Sequence, residues 1–156
     1  MTILGIDPGT AITGYGLIKK SNRGIKIIEY GCIETETKFS TAERLNILDK
    51  KLAKIIKKHQ PDKVAVEDIF FFKNLKTVIK VSQARGVILA RMAKMKIPVF
   101  EYTPLQIKQA VTSYGRAEKK QVQQMVKLLL NLKEIPKPDD AADALATAIC
   151  CAHSTY

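Results

Sequence analysis

The stretch Ile3-Leu4-Gly5-Ile6-Asp7-Pro8-Gly9-Thr10 decides how the rest of the chain is read. Its short apolar run has the length of a buried strand and stops at Asp-Pro-Gly, where proline presets one turn dihedral and glycine permits the other. Asp7 is therefore expected at the end of a core strand. Downstream, residues 13–19 and 25–36 are rich in β-branched and aromatic side chains and flank Ser21-Asn22-Arg23-Gly24, the pattern of an antiparallel hairpin. The period then changes. Leu45, Leu48, Leu52 and Ile55 share one helical face opposite Lys50, Lys54, Lys57 and Lys58, and Pro61 stops that helix. Residues 63–67 form a fourth strand, which a right-handed crossover can lay parallel to the first.

Beyond Phe70-Phe71-Phe72, the residues Leu75, Val78, Val81, Ala84, Ile88, Met92 and Met95 keep helical spacing, with Gly86 read as a point of close packing. Residues 99–102 give a fifth strand, and Thr103-Pro104 is an N-cap followed by proline at the first helical position, opening a helix over 104–111. Val122, Val126 and Leu129 mark another helix. The last, over 139–153, has a face of mostly small residues, Ala141, Leu145, Ala148, Ile149 and Ala152, which lets it approach a sheet closely. The expected architecture is α/β, a five-stranded mixed sheet flanked by helices, in one domain spanning residues 1–156.

Composition narrows the function. With 46% hydrophobic and 26% charged residues the chain is neither fibrous nor low in complexity. A formal charge of +11 points to a polyanionic partner. The three cysteines, Cys32, Cys150 and Cys151, form no CxxC pair, so neither a zinc site nor a disulfide framework is expected. No window has the length of a membrane span, and Met1-Thr2-Ile3 does not open a signal peptide, so the expectation is a cytoplasmic protein that does not bind membranes.

Acidic residues are scarce, which gives weight to four of them. Asp7 and Glu67 each close a strand, and parallel neighbours would bring both to one sheet edge, where open α/β sheets place their ligands. Asp140 and Asp143 are three apart, hence on one helical face, whereas Asp139 is on another. An oxygen-only donor set suits Mg²⁺ or Mn²⁺ better than zinc. Two of the four have plainer readings. Asp7 suits a turn, Asp139 or Asp140 suits a helix start, but Glu67 and Asp143 have no such local role.

Taken together, Gly5-Ile6-Asp7-Pro8-Gly9, Thr13-Gly14-Tyr15-Gly16, Val66-Glu67-Asp68-Ile69-Phe70-Phe71, Gln83-Ala84-Arg85-Gly86-Val87, Tyr102-Thr103-Pro104 and Asp140-Ala141-Ala142-Asp143-Ala144-Leu145-Ala146 resemble the RuvC family of Holliday junction resolvases, in the family's order over nearly the whole chain. The resemblance implies a ribonuclease H-like fold, a homodimer, and Mg²⁺-dependent nicking of two like-polarity strands of a four-way DNA junction. It places the catalytic, metal-holding acids on Asp7, Glu67, Asp140 and Asp143, a junction-entering aromatic on Phe70, and basic residues for DNA binding and cleavage on Lys108 and Lys119. It also implies a branch-migration complex of a junction-binding protein and a ring helicase as partner. Two ions per site is the arrangement expected for phosphodiester hydrolysis, with Asp7 between them and Lys119 beside the scissile phosphate.

Between positions 73 and 96 lie Lys73, Lys76, Lys80, Arg85, Arg91, Lys94 and Lys96 and no acid, and Lys73, Lys76, Lys80 and Arg85 are candidate DNA contacts. The apolar face of the same helix, with Val81, Ile88 and Met92, suits either a contact with a second copy or ordinary core packing. Two other classes share parts of the pattern: a ribonuclease H-like nuclease acting on structured RNA, and a non-catalytic junction-binding protein. The Asp-x-Gly-Thr turn is also that of actin-like phosphotransferases, which need two such domains. Should the basic helix engage about 6–10 phosphates, junction affinity falls about 10³–10⁵-fold between 50 and 200 mM salt. A flat response in a fluorescence-anisotropy titration would mark the helix as merely solvated.

Overall fold

The computed structural model describes residues 1–69 and 75–154. Strand β1 (Thr2–Asp7) is followed by β2 (Ile12–Ser21) and β3 (Gly24–Glu34), helix α1 (Thr41–His59), β4 (Lys63–Glu67), α2 (Leu75–Met95), β5 (Val99–Tyr102), and α3 (Pro104–Thr112), α4 (Lys119–Leu129) and α5 (Asp139–His153). The sheet order is β3-β2-β1-β4-β5. Strands β1, β2 and β3 run antiparallel in sequence, whereas β4 is parallel to both β1 and β5. The hairpin is tighter than the sequence pattern suggests, because Ser21 pairs with Gly24 and leaves Asn22-Arg23 as its loop. Gly24 there has φ 106°, which an L side chain rarely adopts.

Each face of the sheet carries its own core. On one side Leu4, Ile6, Leu17, Val64 and Val66 meet Leu48, Leu52 and Ile56 of α1 and Ala84, Ile88 and Met92 of α2. On the other, Ile3, Ile18 and Ala65 meet Leu145, Ala148 and Ile149 of α5, with α3 and α4 packed outside it. The inner face of α1 ends on Ile56, with Ile55 only partly buried. Ile88 and Met92 are fully buried against the chain's own sheet, so core packing, and not a contact with a second copy, accounts for them. Gly86 corrects its reading too. It is exposed, and a Cβ there would meet nothing within 4 Å. At 100° per residue it points about 200° away from Ala84.

Close packing instead belongs to glycines in the strands. A Cβ on Gly5 would press into the Ala144 carbonyl and lie 2.8 Å from the Ala148 Cβ. One on Gly14 would strike the Asp140 carbonyl, and one on Gly16 would come within 2.7 Å of the Leu145 side chain. Helix α5 therefore rests on bare backbone along β1 and β2, its own alanines completing the fit. The cysteines are unbridged. No helix among the described residues is long and apolar enough to cross a membrane.

These contacts give opposite expectations for two glycine-to-alanine changes. Gly5→Ala overpacks the α5 contact and should cost about 3 kcal/mol or more, whereas Gly86→Ala in an exposed helix interior should add about 0.5–1 kcal/mol. Urea denaturation of the two variants reads both signs.

Candidate active site

The register builds the site. Ile6 pairs with Val66 across β1 and β4, so the next residues along the two parallel strands, Asp7 and Glu67, leave the sheet side by side at its C-terminal edge. Asp7 is also the cross-strand partner of Gly14, the glycine against which the Asp140 carbonyl lies. The start of α5 is thus set directly over the end of β1. Asp143, one turn on, carries its charge towards Glu67 and Asp7. The N-cap of α5 is Pro138, with no side-chain cap hydrogen bond, so neither Asp139 nor Asp140 serves as the cap.

Lys119 enters from α4. Glu118 caps that helix and its N–H donates to Gln121 Oε1 at 2.8 Å, which makes Lys119 the first helical residue. A cation at a helix N-terminus opposes the macrodipole. Here carboxylates offset the cost: Lys119 Nζ lies 3.0 Å from Asp143 Oδ2 and 3.6 Å from Asp139 Oδ2. The Asp139 contact was not apparent from sequence, where Asp139 falls on a different helical face from Asp140 and Asp143. A run of Asp-Asp opposite a lysine-bearing helix is its only signal. Lys108, on the α3 that Thr103 and Gln106 cap, lines with Glu67, Lys119 and Asp143 a cavity of about 240 Å³. A second cavity, of about 320 Å³, continues across Glu67 to Asp7, Asp68 and the first turn of α2 at Thr77 and Val78.

Electrostatics fits this crowding. Burial, followed by the charges of Glu67, Asp143 and Asp140, pushes Asp7 up to about 8. Burial and Asp143 push Glu67 to about 7 against the opposing Asp7 hydrogen bond, Lys108 and Lys119. Burial raises Asp143 as well, with Lys119 opposing. Burial would lower Lys119, but its bonds to Asp143 and Asp139 raise it. Nearby Cys32 is pushed up to about 11 by burial and then by Asp140, so its thiol stays protonated at neutral pH.

A hard divalent cation suits clustered carboxylates with no histidine or thiolate, since it would offset the burial and mutual repulsion that keep protons on Asp7 and Glu67. Among the described residues no three such side chains yet converge as a cage. Lys119 occupies Asp143, and Asp7 is bonded to Glu67, so ligation entails turning those side chains.

Of the residues singled out for DNA, Lys80 is exposed on α2 and Lys108 and Lys119 border the cavity. Arg85 turns inward, its Nη2 3.1 Å from Asp68 Oδ1 and in contact with Glu101 Oε2. Phe70 and Lys73 lie outside the described residues, as does the side chain of Lys76.

The sheet and its two helical layers are those of ribonuclease H-like resolvases. The yeast mitochondrial Holliday junction resolvase Ydc2 shares the fold at a TM-score of 0.69 and 16% identity, over 96% of this chain and 78% of that one. Thermus thermophilus RuvC, solved in complex with Holliday junction substrate, superposes at a TM-score of 0.87 with 30% identity, covering 96% of this chain and 92% of that one. A crossover junction endodeoxyribonuclease RuvC from Halothermothrix orenii is 56% identical over 154 residues, 99% of this chain and 93% of its own length. The family model for crossover junction endodeoxyribonuclease RuvC matches residues 3–151. The chain belongs to the RuvC family.

The raised carboxyls have a consequence for stability. Unfolded Asp7 loses its proton near 3.8, whereas folded Asp7 keeps it up to about 8, so the folded chain binds the extra proton and stability falls as pH rises between those values. In EDTA, Asp7→Asn should melt above the wild type at pH 8, with the gap closing towards pH 4. An equal or lower melting temperature at pH 8 would remove the electrostatic account of the site.

Proposed function

We propose that this chain is a Holliday junction resolvase, nicking two like-polarity strands of a four-way DNA junction with Mg²⁺ at the Asp7, Glu67, Asp140 and Asp143 edge. The observation that carries the reading is that β1, β4 and α5 bring four mutually repelling carboxylates to one sheet edge, near Lys108 and Lys119, in a chain of the RuvC family. A scaffold that merely bound junctions would not need to bury acids that repel one another.

The four acids would hold the metal, two ions per site with Mn²⁺ as a substitute, and the bound ions supply charge neutralisation at the phosphate and activation of the attacking water. Asp7, at the end of β1 and within the fields of Glu67, Asp143 and Asp140, would serve both ions. Lys119 is held at the rim by Asp143 and Asp139, so its ammonium is within the cavity and available to the scissile phosphate once Asp143 is engaged elsewhere. Lys108 adds a second positive charge on the same wall. Lys80, on the outer side of α2, and with it Lys73 and Lys76, would meet flanking phosphates, and Phe70 an unpaired base at the crossover.

One site cuts one strand, so two symmetric cuts require a homodimer whose two-fold axis matches that of the junction. On this reading residues 1–156 are one nuclease domain, working in the cytoplasm on junctions delivered by a branch-migration complex of a junction-binding protein and a ring helicase.

The test compares wild type and Asp7→Asn on a labelled four-way junction, a matched duplex and a structured RNA, each with Mg²⁺ and with EDTA. Paired, Mg²⁺-dependent nicks in the junction alone are expected. Even outer-shell partners of a metal site cost about 10–100-fold, so loss of a direct ligand should cost at least about 100-fold in nicking while junction binding persists. Cutting of the RNA in preference would keep the site and change its substrate, and binding without cutting would leave a scaffold.

A further inference from the structure

Helix α2 is fastened to both acid-bearing strand ends by polar contacts that its apolar core face does not require. At the first, Thr10, only 7% exposed, donates its hydroxyl to the Lys80 carbonyl at 2.6 Å. The Thr10 carbonyl accepts in turn from Thr35 Oγ1 at 2.5 Å, and Arg44 Nε donates to that same Thr35 oxygen at 2.9 Å. Together with Thr13, whose hydroxyl donates to the Gly9 carbonyl at 2.6 Å, this chain of bonds holds the turn that follows Asp7.

Five residues along α2, Arg85 makes the second fastening. Its guanidinium joins Asp68, the residue after Glu67, to Glu101 of β5. Asp68 is itself locked, its N–H donating to the Tyr102 carbonyl at 2.8 Å and its Oδ1 accepting from the Ile69 N–H at 2.8 Å. The Arg85 side chain is 22% exposed and engaged with two carboxylates, which is the opposite of a group waiting for phosphate.

We propose that α2 is the positioning element of the site: Thr10, through the Lys80 carbonyl, and Arg85, through Asp68 and Glu101, are positioning residues that fix the separation of Asp7 and Glu67, and Arg85 is not a phosphate ligand. The inference rests on the nuclease reading above. Asp7 and Glu67 can serve one reacting centre only at a fixed separation, and a displacement of about 1 Å there costs about 100-fold in rate. The sheet register sets the two strand ends beside each other, and the two polar clamps add restraint from α2 at the residues that follow each acid. Lys80 accepts from Thr10 with its carbonyl while its side chain is exposed, so on the nuclease reading a phosphate met by that side chain and the Asp7 turn would share one residue.

The experiment uses full-length Arg85→Gln, Thr10→Val and Thr10→Ser. It reads junction Kd at several salt concentrations, the single-turnover nicking rate at saturating protein, and the Mg²⁺-dependent rise in melting temperature without DNA. Positioning predicts an unchanged Kd and salt slope, a nicking rate lowered about 10–100-fold in Arg85→Gln and Thr10→Val, recovery by Thr10→Ser to within about 3-fold of wild type, and a smaller Mg²⁺-dependent rise in both impaired variants. A phosphate ligand at Arg85 would instead weaken binding and reduce the salt slope by about 1 with the saturated rate intact, which overturns the proposal. Wild-type rates in Thr10→Val overturn it as well. Should Arg85→Gln fail to fold, the Thr10 pair decides by itself, since valine keeps the shape and serine keeps the hydroxyl. Should the wild type nick no junction, the nuclease reading fails, and the melting data alone uphold the clamps if the Mg²⁺ increment shrinks or reject them if it does not.

Discussion

The placing of the α5 acids over the end of β1 depends on how closely α5 lies on β1 and β2. Side chains on a sheet ordinarily keep a helix at about 10 Å, but Gly5, Gly14 and Gly16 offer only hydrogen where the helix crosses, and alanines answer from the other side. The contact brings the Asp140 carbonyl onto the strand residue paired with Asp7, so the geometry of the four acids follows from backbone against backbone. Backbone is far stiffer than a packed long side chain. Such a joint suits groups whose mutual repulsion would drive softer supports apart.

The charges show the same tension from the other side. A chain of formal charge +11 gathers four of its few acids at one sheet edge, buries them enough to lift Asp7 and Glu67 towards neutral pH, and stations Lys119 among them against its own helix dipole. None of this improves the fold. Stability is given up locally at this edge, a pattern common where local rules of sequence design are broken for a functional site.

Much of this was legible in the chain alone. Asp7 and Glu67 could be placed because a strand end followed by a turn, and a strand returning after a helix, are local patterns with one simple parallel solution. Asp140 and Asp143 followed from helical spacing. The partners of charged side chains did not, because periodicity says which face a residue occupies and not which element it meets. Arg85 reads as one more cation on a basic helix, yet it is spent on Asp68 and Glu101, and Asp139 was set apart on another face although Lys119 reaches it. The apolar stripe of Ile88 and Met92 looks alike whether a sheet or a second copy covers it. Gly86 misled for a related reason: glycine signals absent bulk, and only the neighbouring element shows whether that absence is used.

The division of the core into two faces sets the evolutionary freedom of the molecule. Positions 5 and 14 leave no room for a β-carbon against the α5 backbone, and one at position 16 presses on the Leu145 side chain, so changes there disturb the joint that carries the acids. The α2 layer meets the strand ends through Lys80, Arg85 and the cavity wall at Thr77 and Val78, whereas its solvent-facing residues take no part in the α5 joint. A lineage of such chains can therefore vary its outer layer while inheriting, unaltered, the edge where its acids gather.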